Sequence, residues 1–188
     1  MKISILEIIK GIFRGGLGYK VLVWNDKENP NFTNYQMRGN FITKLSESIG
    51  GGGNIDFGAD AIISSDGNDN LYSLILKCNV ENGLLVTREN SLTLVVDEES
   101  FTFNLEPSLS NNQEFNNFGE HYLIEVHRFI VNRDFIKLIA NSSDIEIIIR
   151  GEGRVIGGLL SKRNISRFNE FYRKYLDNSA TKSTAWDK

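Results

Sequence analysis

The sequence predicts an α+β domain: a large, mainly antiparallel β-sheet, closed as a sandwich or open barrel, with an N-terminal amphipathic helix and two helices in the C-terminal region. Three observations carry this reading. Residues 19–105 are dominated by short β-branched and aromatic runs, broken at regular spacing by turn residues, as in an antiparallel sheet. Three segments, one near the start and two in the last third, repeat their apolar residues at helical period instead. The chain has 188 residues, 40% hydrophobic and 24% charged, an ordinary globular composition and enough length to bury a real core.

In the first segment Ile5, Ile8, Ile9, Ile12 and Phe13 fall on one stripe of a helix over residues 3–13. Gly15, Gly16 and Gly18 then stop the helix and supply a hinge. Residues 1–18 therefore read as a helix and hinge preceding a single domain at 19–176. A helix this short does not hold in water by itself. Its stripe is expected to dock on a neighbouring subunit or partner protein.

The strands follow in order. Residues 19–24 form the first, before a polar turn region at 26–34 that contains Pro30. Residues 35–45 and 55–64 are two more, separated by the glycine run 50–53. Residues 71–80 and 84–88 flank Asn82-Gly83, a strong hairpin signal, and residues 92–96 and 101–105 flank the acidic turn 97–100. Residues 106–120, rich in Asn and Ser, read as a long polar loop in which Phe115 and Phe118 either pin the loop or touch a partner.

Beyond that loop the periods alternate. Residues 121–128 are a strand, and Asn132 caps a helix at 133–141. Residues 144–150 and 154–160 are strands about Gly151-Glu152-Gly153. Ser161 caps a last helix at 162–176, with Ile165, Phe168, Phe171, Tyr172 and Tyr175 at helical spacing. Residues 177–188 are a polar tail with one aromatic, Trp186.

Composition also narrows function. A net charge of -3 disfavours a dedicated nucleic-acid binder, whose affinity comes mostly from neutralising phosphates. The single cysteine, Cys78, excludes an intramolecular disulfide and a cysteine zinc cluster. Strand alternation puts Cys78 on an apolar face with Tyr72, Leu74, Leu76 and Val80, as a packing residue. The start of the chain lacks the uninterrupted apolar run of a secretion signal, so the cytoplasm is the expected compartment. A membrane-surface role for the first helix is disfavoured, because its basic residues are few.

Two glycine- or aspartate-rich stretches resolve as turns. The run Gly50–Gly53 lacks the Gly-Lys-Ser/Thr ending of a phosphate loop. Residues 66–72 carry at most one turn of a calcium-binding repeat, and one turn does not build that site. The strand at 121–128 is the best candidate for chemistry, since alternation puts His121, Leu123, Glu125 and His127 on one face. Positions 121 and 127 lie roughly 20 Å apart along a strand and do not share a metal ion, which leaves Glu125 and His127 as the pair able to cooperate. The plain reading is a half-exposed strand with that face in water.

No nucleophile motif, cofactor fingerprint or metal-ligand spacing is present in the sequence. The expected function is a non-enzymatic binding or assembly module working through protein–protein contacts or as a homo-oligomer, without cofactor or metal. Its expected contact residues are Ile5, Ile8, Ile9, Ile12, Phe13, Phe115, Phe118 and Trp186. Two alternatives stand beside it: a small hydrolase with a site near His127 and Glu125, and an inhibitor or immunity-type protein acting through the acidic turn at 97–99.

Overall fold

Burial alternates residue by residue along the strands at 145–151 and 154–159, and hydrogen bonding sorts the strands into two antiparallel sheets in the computed structural model, which describes residues 18–42, 44–45, 54–81, 84–117 and 120–177. The first is six-stranded. It comprises β1 (Lys20–Asn25), β2 (Phe32–Arg38), β4 (Asn54–Ser64), β5 (Leu71–Glu81), β8 (Asn111–Asn117) and β9 (Glu120–Val131), in the order β1-β2-β4-β5-β9-β8. The second is five-stranded. It comprises β3 (Lys44–Leu45), β6 (Leu92–Val96), β7 (Glu99–Phe103), β10 (Ile145–Gly151) and β11 (Arg154–Leu159), in the order β3-β11-β10-β6-β7. The fold is thus a mainly antiparallel two-sheet α+β structure.

The inner faces follow from period two. Ile145, Ile147 and Ile149 on β10 are buried together with Leu92, Leu94 and Val96 on β6. Phe57, Ala59 and Ala61 on β4 face inward with Leu74, Leu76 and Cys78 on β5. Cys78 is fully buried, and burial pushes its thiol far above the ordinary range, as befits a small packing residue. The inner residues of both sheets belong to one hydrophobic core, shared with the helices.

Helix α1 (Arg133–Asn141) starts at Asn132, whose side chain accepts a hydrogen bond from the Phe135 amide, an N-cap for an otherwise orphaned donor. Its Phe135 ring meets Phe101 and Phe103 of β7 edge-on, at 4.9 and 5.0 Å between centroids. Helix α2 (Lys162–Phe171) begins with a capping box between Ser161 and Asn164 and runs on through one wider π turn at Tyr172–Leu176. Phe168 packs on Phe57 and Tyr175 on Tyr35, so α2 lies against the six-stranded sheet. A buried polar knot fixes that position. Asn164 donates to Asn40 Oδ1 and Phe41 O, Asn40 donates to Phe57 O, and Asp56 takes the Gly39 and Asn40 amides at 2.9 and 2.7 Å.

Two expectations need correction, and a third falls outside the described residues. The N-terminal helix, with Ile5, Ile8, Ile9, Ile12 and Phe13, lies outside the described residues, and both described helices belong to the C-terminal third. Residues 106–120 are not one long loop: a 3-10 turn at Pro107–Leu109 leads into β8, which pairs along β9 with Phe115 opposite Tyr122. Asn-rich composition hid this strand, because an edge position tolerates polar residues that local propensity would exclude. Residues 84–88 do not pair back on β5, whose place beside β4 and β9 is already filled. They cross to the other sheet, where Val86 bridges Gly151 and the Thr87 amide donates to Arg150 O.

Gly151 is the point where this crossover touches β10. A Cβ there would stand 2.1 Å from Leu84 O and 2.6 Å from Leu84 Cδ1. Backbone of two segments meets at this point, so neither side yields cheaply. Gly151→Ala is expected to lower stability by roughly 3 kcal/mol in urea unfolding, the upper part of the overpacking range. Gly153→Ala meets no atom within 4 Å and is the spatial control, carrying only the strain of its positive φ.

Candidate functional site

Strand β9 runs between β5 and β8, and its odd-numbered residues face the core. That places Glu125 and His127 inside the molecule, at 0% and 3% exposure, rather than on a wetted face as the plain sequence reading expected. Two residues apart on one strand, they meet: His127 Nε2 lies 3.0 Å from Glu125 Oε2. The side chain of His121 is not among the described parts of the strand.

The crossover over residues 84–86 closes over this carboxylate. The amides of Leu84 and Leu85 both donate to Glu125 Oε1, and the amide of Val86 donates to Oε2 at 3.1 Å. Leu85 adopts a φ of +51°, the left-handed conformation, in this three-amide run. Burial alone would raise the pKa of Glu125. The histidine and the three amides outweigh it and hold the carboxyl below the usual glutamate range.

A carboxylate offers about four acceptor positions, and four donors fill them here. Glu125 therefore has no lone pair left for catalysis, and it requires a proton on His127 Nε2. The remaining ring nitrogen, Nδ1, is buried without a hydrogen-bond partner among the described residues. Both side chains border a cleft of about 620 Å³, along with Val86, Arg88, Leu105 and Ser110. Neither nearby hydroxyl is poised as a nucleophile: Ser110 Oγ donates to Glu106 O, and Thr87 Oγ1 is engaged with Glu89 O and Arg150 O. The arrangement is an anionic clasp between two sheets with one ring nitrogen, His127 Nδ1, left without a partner among the described residues.

A second polar cluster lies on the opposite face of the six-stranded sheet, and the sequence reading did not find it. Register puts Gln36 opposite Asp60, and Asp60 opposite Ser73. Asp60 Oδ2 accepts from Gln36 Nε2 at 3.1 Å and from Arg128 Nε at 3.0 Å. Burial raises the carboxyl of Asp60, and Gln36 and Arg128 only partly offset it. Asp60 Oδ1 and Asn34 Nδ2 are buried without a partner among the described residues. Both residues line a cavity of about 150 Å³ bordered by Trp24, Ile62, Leu71 and Ser73. The one trace of this cluster in the sequence is an aspartate inside the apolar run of residues 57–63.

The expected contact residues fare differently. Ile5, Ile8, Ile9, Ile12, Phe13, Phe118 and Trp186 fall outside the described residues, and Phe115 is placed only as a position on β8. In the acidic turn, Asp97 is spent internally. Its Oδ1 accepts from the Ser143 amide and hydroxyl and from the Asp144 amide, tying β6 to the start of β10. Among the described residues, no group of three His, Cys, Asp or Glu side chains is placed to hold a metal ion, and no helix is long and apolar enough to cross a membrane. No family model, curated protein or solved structure matches the chain.

The clasp sets the sign of an acid effect. The carboxyl of Glu125 is depressed in the fold, so its stabilisation is complete above the ordinary glutamate value of 4.5 and is lost as pH falls through the lower folded value. Glu125→Gln is expected to cost about 3 kcal/mol at neutral pH, because buried amides lose a charged acceptor. The difference between wild type and variant should shrink on acidification, as followed by urea unfolding at a series of pH values. Asp56 and Asp60 are common to both proteins and cancel.

Proposed function

We propose that this chain is a non-enzymatic assembly module that pairs with a second copy of itself along the edge of its six-stranded sheet that β1 forms among the described residues. The observation that supports the reading is β1. It is an edge strand of six residues, and its Val23 and Trp24 are 50% and 45% exposed on opposite faces. An edge of that kind offers unpaired backbone groups and apolar side chains together, which soluble proteins normally mask. The other edges are better protected. β3 has two residues, β8 is almost wholly polar, and β7 begins at Glu99 beside an acidic turn.

The strand is also self-complementary. Antiparallel pairing about a two-fold axis perpendicular to the sheet must join residues on the same face. A register centred on Val23 sets Leu22 against Trp24 of the second copy. It also brings Lys20 against Asp26, opposite charges at each end of the seam.

Light scattering on the full chain tests this. Wild type is expected to run as a dimer and Val23→Lys as a monomer with an unchanged circular dichroism spectrum, since a charge at the centre of the seam faces its own copy. A wild type that stays monomeric at every concentration reached sinks the proposal.

The second reading, a small hydrolase at His127, has its own support in the dyad and its cleft. With Glu125 saturated, catalysis would rest on His127 Nδ1 acting as base toward water. Turnover of an activated ester should then fall at least about 100-fold in a folded His127→Gln variant. Turnover that survives the substitution, or none in the wild type, removes this reading.

A further inference from the structure

We propose that the cavity between Asn34 and Asp60 is a binding site for a small, neutral, planar ring carrying a carbonyl and an N–H on one edge, of the lactam class. This goes beyond the assembly reading and needs no second copy. The inference starts from two unpaired polar atoms. Asn34 and Asp60 are each 8% exposed, yet Asn34 Nδ2 and Asp60 Oδ1 have no hydrogen-bond partner among the described residues. Buried polar groups are otherwise almost always satisfied, so an orphaned donor and an orphaned acceptor in one cavity mark complementary positions for something else.

Register explains why the two belong together. Asn34 pairs with Ile62, and Asp60 lies two residues from Ile62 on β4. Asn34 and Asp60 are therefore diagonal neighbours on one face, roughly 7–8 Å apart along the sheet. A ligand between them accepts from the amide of Asn34 and donates to the carboxylate of Asp60. The other carboxylate oxygen is already held by Gln36 and Arg128, so Asp60 is oriented before any ligand arrives.

Size and walls narrow the class. The cavity holds about 150 Å³, the volume of an engineered cavity that accepts a benzene ring. Trp24, Ile62 and Leu71 supply apolar walls, suited to the faces of a flat ring, while the polar atoms address its edge. Asp60 and Arg128 form an ion pair at 3.0 Å, so the site carries no obvious charge for a ligand to neutralise.

Titration of the isotope-labelled full chain with 2-pyridone tests the site, followed by NMR at the Trp24 indole N–H. Saturable shifts at Trp24 are expected, with binding about tenfold weaker for 1-methyl-2-pyridone, which lacks the N–H, and for Asn34→Leu, which lacks the donor. Val23→Lys should bind 2-pyridone as wild type does, which separates this site from the assembly seam. If Asn34→Leu fails to fold, Asn34→Ala, which also lacks the donor, serves in its place. No saturable binding, the outcome in which water alone fills the cavity, overturns the proposal. Equal affinity for both pyridones, or undiminished binding by the folded Asn34 variant, overturns it as well.

Discussion

The buried carboxylate of Glu125 is the interaction on which the two-sheet arrangement turns. The chain leaves the six-stranded sheet at the end of β5 and must enter the five-stranded sheet at β6. Its crossover brings the amides of Leu84, Leu85 and Val86 into the interior, where unpaired donors would be costly. One carboxylate from β9 takes all three. The crossover is thereby bonded to one sheet through Glu125 and to the other through Val86, Thr87 and Glu152. Gly151 follows as a consequence, since backbone held that close leaves no room for a side chain. So does the proton on His127 Nε2, because a saturated carboxylate only accepts.

Among the described residues, two buried carboxylates and a half-buried one, Asp56, differ in how fully they are satisfied, and the difference sorts structure from receptivity. Glu125 has its four positions filled and falls below its ordinary acidity range. Asp56 takes two backbone amides and anchors the turn at Gly39 beneath α2, although burial still raises it. Asp60 is raised by burial too, and one of its oxygens has no partner among the described residues. A saturated anion stabilises a fold and has nothing further to offer. A half-satisfied one, oriented by Arg128 and facing a cavity, retains the capacity to recognise a ligand.

The same contrast holds between the edges of the sheets. Protection against further strand pairing is visible in the short β3, the polar β8 and the acidic start of β7. It is absent from β1, where Val23 and Trp24 stand exposed. In the proposed dimer, pairing in register with opposite charges at the ends would convert that exposure into specificity. Trp24 belongs both to this edge and to the rim of the lactam cavity, so the two proposed functions meet at one side chain.

Local pattern in the sequence determined most of the elements. Period two located the strand at 144–150, which the structure places at Ile145–Gly151, and the inward Cys78, while the acidic turn located Leu92–Val96. Period 3.6 with Asn132 and Ser161 as caps located both described helices. These signals are legible because each involves residues a few positions apart. The partners of each strand are not of that kind. Residues 84–88 carry a hairpin signal after Asn82-Gly83, yet the space beside β5 goes to β9, and Glu125 draws the segment to the other sheet. Strand β8 has the composition of a loop and is a strand only because β9 offers it an edge. The same alternation that aligned Glu125 with His127 could not say whether their face met water or core. That choice, like the meeting of Asn34, Asp60 and Arg128 from three separate strands, was decided by the tertiary structure, because it depends on which distant segments must bury their backbone polar groups together.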